Sequence, residues 1–400
     1  MRSWRCCMQY RTNLKNGEKL SALGFGCMRF TRQGGSIDQE KAEKELKLAM
    51  DQGVNYFDTA YIYPGSEVCL GRFLEKYGCR DKVNIATKLP HYQMKKPEDA
   101  ERFFSEELER LKTDHVDYYL MHMLNDVKSW ERLCGMGIKE WILEKKASGA
   151  IRNIGFSFHG GTVQFKELLD AWSWDFCQMQ FNYMDEHAQA GIEGLEYAAG
   201  KGIPVVIMEP LRGGRLVTGL PKDALSEFEK MPVKRSPAEW GLRWVWNHPQ
   251  VTVVLSGMND PEQVKENCRI ASESLPDSLS EEELKLYERV LSIIHKKVKV
   301  GCTGCNYCQP CPRGVNIPTC FAIYNQSYAD RYVNSFREYF MCTTLRNERS
   351  NAGLCIKCGK CEQHCPQHLE IRKELVNVRK RFENPIYRIG AFFAGKIMKY

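Results

Sequence analysis

Two sets of residues in this chain have the side-chain types and spacings that chemistry requires. The first set is two runs of cysteines in the last quarter of the sequence, in which thiols recur about every third residue. The second set is polar and lies within the first 122 residues. Thiols at such spacings bind metal, and the polar residues together can transfer a proton. The cysteines are Cys302, Cys305, Cys308, Cys311, Cys355, Cys358, Cys361 and Cys365, and the polar residues are Asp58, Tyr63, Lys88 and His122.

The crowding of the cysteines favours iron-sulfur clusters. Closely spaced thiolates can each reach a different iron atom, and a further cysteine followed by proline completes the other cluster in two-cluster proteins. Zinc is the alternative metal, although its tetrahedral sites more often use two separated cysteine pairs. Disulfides are disfavoured, because ten of the 18 cysteines follow residue 300 in a long chain, and Met1–Tyr10 has no apolar core of a secretory signal.

Residues 297–375 resemble the bacterial two-cluster 4Fe-4S ferredoxin domain. The resemblance rests on the two cysteine runs, each of which ends in Cys-Pro. It implies crossed ligation, in which each run gives three cysteines to one cluster and its last cysteine to the other. The first run departs from the usual pattern, with two residues instead of three before its last cysteine. One cluster would be held by Cys302, Cys305, Cys308 and Cys365, and the other by Cys355, Cys358, Cys361 and Cys311.

The four polar residues could form a general-acid catalytic site if the fold brings them together. A free tyrosine, with a pKa of about 10, is a poor acid at neutral pH. A lysine cation beside it would stabilise the phenolate and lower that pKa, and a carboxylate would keep the lysine charged. A histidine N–H can orient a carbonyl oxygen, so the set suits reduction of a carbonyl by hydride. Taken singly, Asp58 is equally a helix cap and His122 an ordinary core histidine.

Alternating apolar and amphipathic segments would position these residues. Eight β-branched and aromatic runs between about residues 20 and 275 predict strands buried on both faces, with helices between them. This α/β pattern fits either a closed (β/α)8 TIM barrel or a doubly wound sheet, and eight units fit a barrel better. Asp58, Lys88 and His122 fall at the carboxyl ends of strands, where barrels place reactive groups. The predicted strands are Leu20–Phe25, Val54–Ala60, Val83–Leu89, Val116–Met121, Ile151–Ser157, Phe176–Phe181, Pro204–Met208 and Val251–Leu255, and the predicted helices are Asp38–Gln52, Pro97–Lys112, Trp130–Ser148, Thr162–Trp172, Gln189–Lys201, Ser236–Asn247, Pro261–Ser272 and Ser280–Lys296.

Residues 10–275 resemble the aldo-keto reductase family. The resemblance rests on Phe-Asp-Thr-Ala-Tyr-Ile-Tyr at residues 57–63, followed by Lys88 and His122. It implies that Tyr63 donates the proton, that Asp58 and Lys88 tune it, that His122 orients the substrate, and that a nicotinamide delivers hydride. It also implies a cofactor site, in which the choice between NADPH and NADH stays open because Lys or Arg is missing where NADPH-selective members carry it. That site would include Ser157, Gln178, Met208, Ser256, Gly257, Gln263 and Asn267.

Charge separates two predicted domains, a barrel over residues 1–296 and a small, mainly helical and loop ferredoxin-like domain over residues 297–400. The second carries 17 Lys and Arg against 7 Asp and Glu, so it accounts for all of the chain's net +7. The basic surface predicts either docking of an acidic electron carrier, a ferredoxin or flavodoxin, or simple solvation. Nucleic acid is not an expected partner, nor is a membrane span expected. The apolar tail 386–400 is either a docked helix or a membrane-surface helix.

These patterns predict an oxidoreductase that reduces a small carbonyl or oxidises an alcohol, and whose two 4Fe-4S clusters exchange electrons with a carrier. Oxygen-sensitive clusters and the missing secretory signal favour the cytoplasm of an anaerobic bacterium. Two alternatives remain open at this stage. One is a redox-sensing or structural iron-sulfur protein with an idle barrel, and the other is a non-redox lyase or isomerase that uses Tyr63 and Lys88.

Overall fold

The computed structural model describes residues 8–329, 332–344 and 349–397. The chain forms two compact units. The first contains residues up to Pro210 together with Glu239–Leu279, and the second contains Leu211–Ala238 together with the described residues from Ser280 onward. The domain bounds predicted from sequence, 1–296 and 297–400, remain a prediction. The units add that one internal segment groups with the C-terminal part of the chain.

Strands within the described residues alternate with helices along most of the first unit. Eight of these strands close into one barrel, and the others form two short antiparallel pairs. They are β1 (Tyr10–Thr12), β2 (Lys19–Ser21), β3 (Leu23–Gly26), β4 (Arg32–Gln33), β5 (Ser36–Ile37), β6 (Tyr56–Asp58), β7 (Asn84–Leu89), β8 (Val116–Met121), β9 (Ile151–Phe158), β10 (Phe176–Gln180), β11 (Val205–Met208) and β12 (Val251–Ser256).

The barrel confirms the predicted fold. Its strands follow the order β10-β11-β12-β3-β6-β7-β8-β9, and every neighbouring pair is parallel. The strands read as continuous apolar runs because they are covered on both faces, and β8 is buried over its whole length. Since all eight strands run in one direction, their carboxyl ends meet at a single rim.

Helices cover the outside of the barrel. Asp38 caps the first of them by accepting a hydrogen bond from the Lys41 amide, as its sequence position predicts. The predicted helix over residues 130–148 is in fact two helices, because Gly137 adopts a left-handed conformation with φ of 78°. The helices of this unit are α1 (Gln39–Asp51), α2 (Ser66–Tyr77), α3 (Asp99–Leu111), α4 (Val127–Gly135), α5 (Ile138–Ala147), α6 (Thr162–Ala171) and α7 (Gly191–Gly200), followed later in the chain by α10 (Pro237–Trp246) and α11 (Pro261–Glu273).

The second unit is helical and has its own apolar core. Ser280 and Glu283 form the capping box predicted for its long helix α12. The core surrounds Val315, Phe321 and Tyr339, and several of the clustered cysteines pack against it. The helices of this unit are α8 (Arg215–Thr218), α9 (Lys222–Lys230), α12 (Glu281–Lys297), α13 (Ile317–Ala329), α14 (Tyr332–Thr343), α15 (Lys360–Gln363), α16 (Ile371–Phe382) and α17 (Pro385–Ile397).

The apolar tail predicted over residues 386–400 forms α17, and its last three residues lie outside the described part of the chain. Tyr387 and Ala391 are buried in the core of the second unit, so the helix docks on that unit. Ile386 and Ile389 remain exposed on it. Among the described residues, no helix combines the length and the apolarity that crossing a bilayer requires.

We expect the contact between α2 and α3 to tolerate no side chain at Gly71. A Cβ atom there would overlap the carbonyl oxygen of Arg110 and lie 2.9 Å from Cα of Leu111, both of which are backbone atoms that cannot move aside. Gly71→Ala should therefore cost about 2 kcal/mol of unfolding free energy. Urea unfolding of the full chain followed by tryptophan fluorescence measures this, since all 8 tryptophans precede residue 247.

Gly200→Ala is the matched control, because a Cβ atom at the end of α7 meets no atom within 4 Å. It should change the unfolding free energy by less than about 1 kcal/mol, in the direction of greater helix propensity. Equal midpoints for the two variants would contradict the packing argument.

Candidate active site and cluster-binding cysteines

The barrel rim brings the four predicted polar residues together. Asp58 is the last residue of β6, Lys88 lies near the end of β7, and His122 directly follows β8. Tyr63 lies in the turn that leads into α2, where its amide donates to the Ala60 carbonyl. Three successive strands and one adjoining turn therefore supply the site.

Lys88 and Asp58 form a buried ion pair at the centre of this site. The Lys88 Nζ lies 2.6 Å from Oδ1 of Asp58, and it also donates to the carbonyl oxygen of Thr59 at 2.6 Å. The two residues are 1% and 4% exposed. The amide of Gln178, on β10, donates to the other carboxylate oxygen of Asp58 at 2.9 Å. Every charged atom of the pair is thus compensated, as burial of an ion pair requires.

Tyr63 and His122 adjoin this pair. The Lys88 Nζ lies 5.1 Å from the centre of the Tyr63 ring. The rings of Tyr63 and His122 are 6.1 Å apart at an interplanar angle of 87°. A hydroxyl, an ammonium and an imidazole therefore face one small region of the rim.

The pKa of Tyr63 departs from the sequence prediction. Burial and the negative charge of Asp58 raise the pKa of its hydroxyl well above the ordinary value, whereas the sequence predicts that Lys88 lowers it. The reason is that the Lys88 ammonium donates to Asp58 and Thr59, so the adjacent carboxylate offsets its charge. Tyr63 consequently keeps its proton at neutral pH, as a proton donor must.

His122 is neutral in this site. Burial, reinforced by the positive charge of Lys88, lowers the pKa of His122 well below its ordinary value. A neutral imidazole carries hydrogen on one nitrogen and a lone pair on the other. His122 can therefore donate one hydrogen bond to an oxygen without bringing a second positive charge to the rim.

Three further residues reach this region and were not predicted. The Tyr92 ring lies 6.3 Å from that of His122, and the buried His91 contacts Tyr92 edge to face. The Glu209 carboxylate acts electrostatically on Tyr63, and the Glu209 backbone adopts a left-handed φ of 54°. All three residues lie within three positions of the end of a barrel strand. The predicted strand ends could therefore have identified them as candidates for the site.

The residues expected to hold a nicotinamide lie on neighbouring strands. Ser157 on β9 pairs in register with Gln178 on β10, and Gln178 makes the bond to Asp58 described above. The Ser157 hydroxyl accepts a hydrogen bond from the Met123 amide at 2.9 Å. Met208 ends β11 and packs against the core of the barrel. The family resemblance does not imply the hydrogen bond between Gln178 and Asp58 that the structure shows.

The residues expected near phosphate and adenosine lie between β12 and α11. Asn267 donates to the Ser256 hydroxyl at 3.1 Å, and the Gln263 side chain accepts from the Asn259 amide at 3.2 Å. The first contact ties the middle of α11 to the end of β12, and the second ties the first turn of α11 to the loop before it. A Cβ atom on Gly257 would lie 3.0 Å from Cδ of Arg29, so the Arg29 side chain runs directly past Gly257.

The clustered cysteines line two separate cavities in the second unit. Apart from Cys308, which lines both cavities, this grouping resembles the one that crossed ligation implies, and thiols are the ligands that iron-sulfur clusters take. Cys308 also reaches the second cavity. The first cavity is lined by Cys302, Cys305, Cys308 and Cys365, and the second by Cys311, Cys355, Cys358 and Cys361.

Burial favours the protonated thiol at Cys308 and at Cys361. Burial raises the pKa of Cys308 to about 12 and that of Cys361 to about 11. Only thiolates bind iron, so cluster insertion would displace these protons.

Comparison with known proteins now gives the class of this chain. A model described as the aldo/keto reductase family matches residues 22–288, and the chain belongs to that family. A model described as a 4Fe-4S dicluster domain matches residues 301–369. The protein is an aldo-keto reductase-type oxidoreductase with a C-terminal 4Fe-4S dicluster domain, which confirms both predicted resemblances. The second match favours iron-sulfur over the zinc alternative.

Individual relatives cover the barrel. An uncharacterised oxidoreductase of Bacillus subtilis is 27% identical over an alignment of 310 positions, which covers 67% of this chain and 92% of that protein. The L-galactose dehydrogenase of Arabidopsis thaliana is 26% identical and covers 69% of this chain and 92% of its own length. The holo form of an aldo-keto reductase from Bacillus halodurans is 26% identical with a TM-score of 0.59, covering 71% of this chain and 96% of that one.

We expect the barrel to depend on Lys88 for stability. Lys88→Met would leave the Asp58 carboxylate buried without its cation, at a cost of about 3 kcal/mol. The control is Lys44→Met, which removes an exposed ion pair with Glu40 and should cost less than about 1 kcal/mol. Urea unfolding followed by tryptophan fluorescence compares the two. If Lys88→Met unfolded at the same urea concentration as Lys44→Met, the buried pair would have no such role.

Proposed function

We propose that the barrel reduces a small carbonyl compound to an alcohol, with Tyr63 as the proton donor. The observation that carries the proposal is the meeting of a protonated tyrosine, a neutral histidine and a buried lysine–aspartate pair at one rim. In this reaction the carbonyl carbon gains a hydride and the carbonyl oxygen gains a proton. A bound nicotinamide would supply the hydride and would itself be oxidised.

Each residue of the site has a defined task in the proposed reaction. The neutral His122 donates a hydrogen bond to the carbonyl oxygen and fixes its position near the Tyr63 hydroxyl. Tyr63 then transfers its proton to that oxygen and becomes a phenolate. The Lys88 ammonium, 5.1 Å from the ring, stabilises this phenolate, while Asp58 keeps Lys88 charged and in place.

The residues between β12 and α11 support binding of a nicotinamide dinucleotide. Gly257 presents bare backbone close to the beginning of α11, a position where helix N-termini favour phosphate. Arg29, which follows the first barrel strand β3, places its cationic side chain beside Gly257. NADH and NADPH both carry the phosphate groups that this arrangement suits, so both are proposed hydride donors.

The same site supports the reverse reaction, since proton transfer through Tyr63 is reversible. The plant relative is named for oxidation of L-galactose, an alcohol. We therefore include small alcohols among the proposed substrates, together with aldehydes and ketones.

The role of Tyr63 is tested by removing one oxygen atom. Tyr63→Phe should lower kcat/KM for nitrobenzaldehyde reduction by about 100-fold or more, because general acid catalysis contributes at least that much. Consumption of NADH or NADPH by the cluster-replete full chain measures it. Tyr92→Phe removes the same atom from the neighbouring ring and should change the rate only a few-fold.

Two results would contradict the proposal. One is unchanged reduction by Tyr63→Phe, and the other is turnover of a substrate without any nicotinamide, which would favour a lyase or isomerase.

We further propose that the dicluster domain exchanges single electrons with an acidic carrier of the ferredoxin or flavodoxin class. Each 4Fe-4S cluster takes up or gives up one electron, and the carrier is oxidised or reduced by the same amount. Reduced clusters of this kind react with oxygen, so we place the protein in the cytoplasm of an anaerobic bacterium.

The surface around the second cysteine run supports such docking. Cys358 is an exposed cysteine, and Ile356 beside it is 61% exposed. Exposed lysines flank them, and we call Ile356, Lys357, Cys358 and Lys360 the carrier face. Arg372 and Lys373 are also exposed but pair with Glu362 and Glu370. An apolar centre with a basic rim complements an acidic partner and steers its approach.

We expect the double variant Lys357→Glu/Lys360→Glu to accept electrons from reduced bacterial ferredoxin about tenfold more slowly at low ionic strength, because rim charges act on the association rate. Anaerobic stopped-flow bleaching of the cluster absorbance measures this. Reduction by dithionite should be unchanged, and high salt should remove the difference.

The control double variant is Lys15→Glu/Lys19→Glu, which makes the same charge change on exposed residues of the barrel unit. Equal slowing by both double variants would show an effect of net charge alone and would contradict a carrier face.

A further inference from the structure

The last helix of the second unit, α17, has two different faces. Tyr387 and Ala391, one turn apart, are buried in the core of the unit. Ile386, Ile389 and Phe392 are 72%, 61% and 58% exposed. Because residues three and four apart lie on one side of a helix, the three exposed side chains form one apolar stripe, which we call the outer stripe.

The buried face of α17 fixes the direction of the outer stripe. The Tyr387 ring lies 5.5 Å from that of Phe340 and 5.9 Å from that of Tyr339, both on α14. A Cβ atom on Gly390 would lie 3.1 Å from Cζ of Phe340, so the two helices are in direct contact. The outer stripe therefore cannot turn inward unless these ring contacts break. Apolar side chains grouped in this way on a surface mark an interaction site.

Basic side chains border the outer stripe. Arg388 is exposed on α17 itself, and Arg337 is exposed on α14, three positions before Phe340. The exposed Arg349 donates to the carbonyl oxygen of Ala391, which places its guanidinium beside the second half of α17. The sequence from 385 to 400 contains one Arg and two Lys but no Asp or Glu.

The acidic residue just before α17 is held by groups of the unit itself. Oε1 of Glu383 accepts hydrogen bonds from the Tyr339 hydroxyl at 2.9 Å, from the Asn351 side chain at 3.0 Å and from the Gly353 amide at 2.7 Å. These three donors engage the carboxylate. The charge that α17 adds to the surface is therefore positive.

An apolar stripe with basic borders fits the surface of a bilayer that contains anionic phospholipid. Apolar side chains of such a helix enter the boundary between headgroups and acyl chains, and the cations are attracted by the lipid phosphates. An acidic protein would attract the same cations. However, a specific protein interface buries about 800 Å² on each partner, which is more than three side chains of one helix provide. A bilayer needs no matching shape, so the narrow stripe favours lipid.

We propose that α17 binds the protein reversibly to the surface of a membrane that contains anionic phospholipid, with Ile386, Ile389 and Phe392 inserted at the level of the headgroups. The helix lies along the surface, because its other face stays in the core of the second unit. Binding would hold the dicluster domain at the membrane. The inference is independent of carbonyl reduction and of the cluster ligands.

The test is sedimentation of the anaerobically reconstituted full chain with lipid vesicles. The chain should bind vesicles of phosphatidylcholine mixed with phosphatidylglycerol and should bind phosphatidylcholine alone about tenfold more weakly, because charge attraction is lost. High salt should weaken binding to the mixed vesicles. Absence of binding to the mixed vesicles, or equal binding to both kinds, would overturn the proposal.

The double variant Ile386→Ser/Ile389→Ser should bind the mixed vesicles at least about tenfold more weakly, because two inserted side chains are lost. Its matched control is Leu143→Ser/Val163→Ser, which changes two residues of the barrel unit that are 58% and 63% exposed. The control should bind as the unaltered chain does. Equal binding by the two double variants would contradict insertion of the outer stripe.

Analytical ultracentrifugation without lipid distinguishes a membrane from a second copy of the chain. The unaltered chain and Ile386→Ser/Ile389→Ser should show the same state of association. A dimer that dissociates in the double variant would show that the outer stripe binds another copy, and it would overturn the proposal.

Discussion

The buried ion pair between Lys88 and Asp58 is the interaction on which the barrel rim depends. Moving two charges out of water costs several kcal/mol each, and only complete hydrogen bonding recovers that cost. Residues on or next to β6, β7 and β10 all contribute. The Thr59 carbonyl accepts a hydrogen bond from Lys88, and the Gln178 amide donates one to Asp58. The pair therefore joins distant strands, and it also decides the electrostatics of Tyr63. While the Tyr63 hydroxyl is neutral, the Asp58 carboxylate offsets the positive charge of Lys88. The same ion pair holds Lys88 near the Tyr63 ring, where its ammonium can stabilise the phenolate.

Much of this could be predicted from sequence because the signals are local. Barrel strands read as apolar runs, and Asp38 and Ser280 cap helices with atoms of their own side chains. The two cysteine runs carry their spacing in the sequence itself. The candidate site was predictable for a topological reason. In a closed parallel barrel the ends of successive strands meet at one rim, so the grouping of Asp58, Lys88 and His122 could be predicted without any measured distance.

What could not be predicted depends on contacts between residues far apart in sequence. Gln178 lies 120 positions from Asp58, and no local pattern indicates that its amide completes that carboxylate. The pKa of Tyr63 was predicted in the wrong direction, because the burial of its hydroxyl and its closeness to the Asp58 carboxylate both raise the pKa, and neither can be read from the sequence. The break at Gly137 was missed since a glycine inside an amphipathic stretch is compatible with one helix or two. Likewise, the helix Lys222–Lys230 was not predicted, and its sequence does not indicate which unit it packs against.

The placement of residues 211–238 has a consequence for how the chain can be divided. The strand before this segment and most of the helix α10, from Glu239 onward, belong to one compact unit, while the segment itself belongs to the other. A single protease cut near residue 297 would therefore leave the N-terminal fragment holding a piece of its neighbour, and the C-terminal fragment lacking one. Ancestry by simple end-to-end fusion would have required this inserted segment to adapt afterwards. Exchanging either half between relatives requires three junctions to be matched together, after residues 210, 238 and 279.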